Sequence, residues 1–71
     1  MSIRANVKPL MHWLIYRNYT CRITERAPTY VVGTMTTPDG PVQFRYDAAK
    51  MIVHLPEKNI AINEHGWEIE T

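Results

Sequence analysis

The chain has a single cysteine, a single serine and three scattered glycines in 71 residues. One cysteine, Cys21, closes no intramolecular disulfide. That excludes a disulfide-stapled secreted mini-protein and favours a reducing compartment, so the expected location is cytoplasmic. The lone Ser2 sits beside a terminus and leaves no plausible serine nucleophile. Gly33, Gly40 and Gly66 are too far apart for a phosphate-cradling loop. His12, Cys21, His54 and His65 are separated by eight, 32 and ten residues, which is not the short ligand spacing of a structural zinc site. No metal and no cofactor are expected.

Long apolar runs are also missing. The longest, Leu10 to Tyr16, is seven residues with His12 inside it, against the roughly 20 that a spanning helix needs. Arg4 and Lys8 ahead of this run give the N-terminus the outline of a signal peptide. Arg17, Asn18 and the bulky Tyr19 break that outline. No membrane partner is expected.

What is present is ordinary for a folded domain: 45% hydrophobic and 21% charged residues. Residues 1–71 are read as one small globular domain. A chain this short buries only about 60% of its unfolded surface. A thin core leaves little room for an internal catalytic cavity, so function is expected on the surface.

The spacing of Val7, Leu10, Met11 and Leu14 is that of one helix face. It predicts a helix from about residue 7 to 18, with Ser2 or Asn6 as cap and Pro9 in the first turn. From about residue 19 onward the pattern is that of strands. Tyr19, Cys21 and Ile23 alternate with Thr20, Arg22 and Thr24. A hairpin over about 29–46 is predicted by the β-branched and aromatic run Thr29 to Thr36, the turn residues Thr37-Pro38-Asp39-Gly40-Pro41, and the alternation of Val42, Phe44 and Tyr46 with Gln43 and Arg45. Residues 47–55 fit either a short helix or a strand; the turn-like Pro56 to Asn59 favours strand. A last strand is expected at Trp67 to Glu70, with Trp67 and Ile69 inward and Glu68 and Glu70 in water. The expected fold class is α+β: an N-terminal helix packed on a mainly antiparallel meander of about four to six short strands.

The formal net charge of +1 conceals a split. Residues 1–36 carry five basic side chains against Glu25, a charge of +4. Residues 37–71 carry three basic against six acidic, a charge of −3. Either the halves neutralise one another in space, or a basic side faces an acidic partner.

Trp13, Tyr16 and Arg17 place the three residue types enriched in interface hot spots within five positions. Two readings of Trp13 follow: core, with the helix wedged between sheet and a later loop, or an exposed contact. The leading functional expectation is a non-catalytic protein-interaction module that binds a larger protein, or itself as a homodimer. Its contact would centre on Trp13, Tyr16 and Arg17, with Tyr19 and Arg22 at the margin. If a strand edge is used to extend a partner's sheet, Thr29 to Thr36 is the apolar candidate. The alternative is a nucleic-acid-binding regulator using Arg4, Lys8, Arg17, Arg22 and Arg26, although no basic cluster forms along the chain. A third reading is a small histidine-dependent nuclease or toxin, with His54, Glu57 and Arg45. In size and element order the chain is similar to small accessory proteins of phages and mobile elements, which dock on and inhibit or adapt host proteins; no motif carries that likeness.

Overall fold

A computed structural model describes residues 5–69. Helix α1 spans Lys8–Arg17 and is followed by β1 (Thr20–Arg26), β2 (Tyr30–Thr37), β3 (Gly40–Asp47), β4 (Ile52–His54) and β5 (Asn59–Ala61). The strands form one antiparallel sheet in chain order, β1-β2-β3-β4-β5. This is the expected α+β meander. No helix among the described residues is long and apolar enough to cross a membrane.

α1 begins without a side-chain cap on its own N-cap residue, Val7. Asn6 serves instead from one position earlier: its Oδ1 accepts the Lys8 N–H at 3.1 Å, taking one of the unpaired amides of the first turn. The other expected cap, Ser2, lies outside the described residues. Pro9 falls in the first turn, where it breaks no helical hydrogen bond. The helix stops where Asn18 takes a left-handed conformation (φ 59°). The Tyr19 N–H then donates back to the Leu14 carbonyl at 2.9 Å, turning the chain directly into β1.

The buried face of α1 is Pro9, Leu10, Trp13 and Leu14. Val7 and Met11, expected to face inward, are only partly buried. The face is rotated because the helix is held from two sides. The sheet takes Leu10 and Leu14, and the loop after β5 takes the flank of Pro9 and Trp13. Gly66 makes that second contact. Its φ is +86°, and a Cβ there would come within 2.6 Å of His12 Cβ and the Trp13 nitrogen.

The β2–β3 hairpin is the expected one with a tighter turn. Pairing runs to Thr37↔Gly40, leaving Pro38 and Asp39 as the loop. The Thr37 hydroxyl donates to the Gly40 carbonyl at 2.8 Å and accepts the Asp39 N–H at 3.2 Å. Residues 48–51 are a turn, neither helix nor strand, between Asp47 at the end of β3 and Ile52 at the start of β4. Asp47 Oδ1 accepts the N–H groups of Ala49 and Lys50, closing a turn in which Met51 has φ 56°. β4 is therefore three residues long.

The expected last strand is reduced to one bridge, Ile62↔Glu68. Trp67 and Ile69, expected inside, are 56% and 48% exposed. Asn63 explains this: its Oδ1 accepts the N–H groups of His65 and Trp67, curling residues 63–67 into a loop instead of an extended edge. The curl directs the Glu68 carboxylate back onto α1.

β1 departs from simple alternation at Thr24. Ile23 pairs with Gly33 and Glu25 with Val32, so Thr24 is an extra, bulged residue. Before the bulge, Cys21 and Ile23 pack against the core. After it, Arg26 stands across from the core residue Val31. Its Nη2 donates to the Ala5 carbonyl at 3.0 Å, and the Ala5 N–H donates to the Ala27 carbonyl at 3.0 Å. These bonds hold Ala5 over that end of the core, which also contains Val31, Phe44, Tyr46, Val53 and Ile62. The strand proposed for sheet extension, β2, lies between β1 and β3 and offers no edge.

Gly66→Ala forces a side chain into the backbone of α1 at a φ unfavourable to alanine. It is expected to cost about 2 kcal/mol or more. Thermal unfolding would read this as a fall of roughly 10 °C in Tm for a domain of this size.

A candidate partner-binding groove beside the helix

A ten-residue helix does not cover the whole inner face of the sheet. Towards the β2–β3 turn the sheet is left open as a groove of about 430 Å³. Met35, Val42, Leu55 and Ile60 line it from the sheet side, and Trp13 and Tyr19 from the helix side. Arg17, Asp39, Glu57 and Lys58 bring charges of both signs to it. The floor is apolar because alternate residues of β2 and β3 face inward, with Met35 across from Val42.

The helix-side wall is a fixed assembly. The Trp13 indole is 2% exposed, so it is core and offers no free contact surface at the helix edge. Its Nε1–H donates to Glu68 Oε1 at 3.1 Å. Arg17 Nη2 forms an ion pair with the same oxygen. The Arg17 guanidinium also lies 5.6 Å from the centre of the Trp13 ring, within cation–π range. Tyr19 meets Trp13 edge-on, with centroids 6.0 Å apart and planes at 84°. The hydrogen bond from Trp13, together with the bond and charge of Arg17, holds the Glu68 carboxyl below the usual glutamate range against a smaller opposing effect of burial.

Of the five residues expected to bind a partner, the fold brings three together: Trp13, Arg17 and Tyr19. Tyr16 lies on the other flank of α1. Its ring stacks on Trp67 at 4.2 Å and 9°, and its hydroxyl donates to the His65 carbonyl. Arg22 points to the outer sheet face, across from Thr34. Sequence reading missed Met35, Val42, Leu55 and Ile60, which are far apart in the chain and carry no signal beyond apolarity. It also missed Glu68, which looked like a solvated face.

The basic set of the nucleic-acid reading is dispersed. Arg4 is outside the described residues. Lys8 and Arg17 stand at opposite ends of α1. Arg17 is bound to Glu68 and Arg26 to the Ala5 carbonyl, while Arg22 is on the outer sheet face. Of the residues of the third reading, the fold brings His54 and Arg45 together and leaves Glu57 apart. His54 Nδ1 lies 2.9 Å from Asn59 Oδ1, and His54 pairs in register with Arg45 on the outer face. Glu57 lines the groove on the inner side. On that outer face the Arg45 guanidinium sits 4.6 Å from the Tyr30 ring centre. The Tyr30 hydroxyl donates to Glu25 Oε2 at 2.9 Å; this bond, then the Glu25 charge, raises its pKa. Cys21 is half-buried, and burial pushes its thiol pKa up.

The chain matches no known protein family, no curated protein sequence and no solved structure.

Two predictions follow from this geometry. Trp13→Ala removes a buried indole and strands the Glu68 contacts, costing about 3–5 kcal/mol, which is comparable to the whole stability of a small domain. Tyr16→Ala removes a half-exposed ring and is expected to cost about 1 kcal/mol; urea unfolding of both variants measures the contrast. Glu68 has a folded pKa below its ordinary value near 4.5. Its ionised contacts therefore contribute fully above that pH and are lost as pH falls through the folded value. The Tm advantage of the natural protein over Glu68→Gln is expected to be constant near neutrality and to shrink on acidification from about pH 5 to pH 3. An advantage that persists undiminished at the acid end would contradict this role for the carboxylate.

Proposed function

We propose that the protein is a small, non-catalytic interaction module that acts stoichiometrically, in a reducing compartment such as the cytoplasm, by receiving a segment of a larger protein in the groove beside α1. The observation that carries this reading is the groove itself. About 430 Å³ of open space lies over an apolar floor, beside a wall fixed by the Trp13–Glu68–Arg17 contacts. That volume is within the range of small-ligand sites and suits one or two large apolar side chains. A preformed wall spares the partner part of the ordering cost of binding.

The charges favour a protein segment over a polyphosphate. Asp39 and Glu57 line the same groove as Arg17 and Lys58, and Arg17 is already neutralised by Glu68. A nucleic-acid backbone would meet two carboxylates there, whereas a peptide with an apolar anchor and flanking charges of both signs finds a counterpart for each. An accessory protein that inhibits or adapts a host enzyme would use such a surface.

Selection of random peptides on the folded protein tests the reading. Selected sequences are expected to carry a large aliphatic or aromatic anchor and to shift the NMR signals of the Trp13 indole N–H and the Met35 methyl group. Val42→Asp, placed in the floor, is expected to weaken them by about tenfold or more while the fold persists. Binders that ignore Val42→Asp, or that perturb only the outer face around Tyr30 and Arg45, would reject the groove as the site.

A further inference from the structure

We propose that the free edge of β1 pairs with β1 of a second copy of this chain about a two-fold axis at Ile23, joining two sheets into one. The two edges of the sheet are unequal. At the β5 edge the chain folds back on itself through the Ile62↔Glu68 bridge, and the Ile69 N–H donates to the Ala61 carbonyl at 2.8 Å. At the β1 edge, among the described residues, no backbone hydrogen bond reaches the outward side of Thr20–Arg26. Seven residues of unpaired edge are a template for another strand.

The bulge makes this edge complementary to itself in charge. In a regular strand Arg22 and Glu25 would point to opposite faces. The extra residue Thr24 places both on the outer face, Arg22 across from Thr34 and Glu25 across from Val32. Cross-strand partners in an antiparallel pair share a face. With Ile23 facing its own symmetry mate and Thr24 left out of register in both copies, Arg22 of each copy stands opposite Glu25 of the other. Two cross-strand ion pairs result. Cys21 and Arg26, both on the inner face, become the next partners outward. Each Thr24 is then the extra residue against the regular Arg22–Ile23 step of the other copy, as it already is against Val32–Gly33 of β2. The charges are available: Arg22 makes no ion pair among the described residues, and Glu25 engages Tyr30 through Oε2 only. None of the groove-lining residues lies in β1, so this surface and the groove can fail independently.

An edge of this length buries less area than a standard stable interface, so the dimer is expected to be reversible, with Kd in the range of about 10–1000 µM. Sedimentation equilibrium of the full chain up to millimolar concentration should show mass rising from 8.3 kDa towards twice that value. Arg22→Glu creates two like-charge contacts across the axis and is expected to weaken dimerisation by about tenfold or more. Combining Arg22→Glu with Glu25→Arg restores opposite charges and should return the affinity to within about threefold. In a Cys21→Ser background, Ile23→Cys brings two thiols within disulfide reach across the axis, and oxidation should give a covalent dimer. Circular dichroism confirms that each variant is folded. A chain that stays monomeric throughout, a dimer indifferent to Arg22→Glu, a folded double variant that does not recover, or a folded Ile23→Cys variant that does not cross-link would overturn the proposal.

Discussion

An indole N–H buried without an acceptor is costly, and Trp13 is almost wholly buried. The acceptor arrives from 55 residues away, as the Glu68 carboxylate. This one bond ties the beginning of the chain to its end. It depends on Gly66, since only a residue without a side chain lets the C-terminal loop approach the backbone of α1 this closely. Arg17 then binds the same oxygen and caps the negative end of its own helix. Tyr16 and Trp67 stack on the outer side of the junction and limit how far the loop can lift. Helix placement and the groove wall both depend on satisfying one buried donor, which the Asn63 curl brings within reach of Glu68.

The groove lies where α1 stops short of covering the sheet. Among the described residues, one short helix lies over a five-stranded sheet. Where α1, Ala5 and the C-terminal loop reach, the inner face becomes core: Val31, Phe44, Tyr46 and Val53 are buried. Where they do not, towards the β2–β3 turn, inward-facing residues remain partly open, as Val42, Leu55 and Ile60 are. The uncovered end is framed by Arg17, Lys58, Asp39 and Glu57, so the apolar floor is bounded by charge.

Among the described residues, part of the +4 and −3 split between the chain halves is met by local contacts. Arg17 meets Glu68, from opposite halves of the chain. Tyr30 joins Glu25 and Arg45 across three strands of the outer face, bonding one and lying beneath the other. Arg26 is consumed by a backbone carbonyl. Among the described residues, Lys8, Arg17, Arg22 and Arg26 form no continuous basic stripe. Among them, Arg22 is the clearest unpaired cation on the sheet edge.

Much of the fold was legible because it is local. The 3.6-residue spacing of Leu10 and Leu14 marks the helix, and the period-two pattern around Pro38-Asp39-Gly40 marks the hairpin. Both patterns arise from neighbours within a few residues. The alternation at Met51, Val53 and Leu55 misled because Asp47 uses its side chain to close a turn first, which shortens β4. The alternation at Trp67 and Ile69 misled because Asn63 curls the loop. Periodicity cannot register a side chain that competes for backbone donors. The sequence by itself determined the element types, the α+β class and the apolar residues available for burial, since these depend on short-range sterics and spacing. Only the tertiary structure decided that Trp13 is core, that Glu68 is its acceptor and that Met35, Val42, Leu55 and Ile60 share one groove. Those outcomes rest on contacts between residues far apart in the chain, and long-range contact leaves no periodic trace in a single sequence.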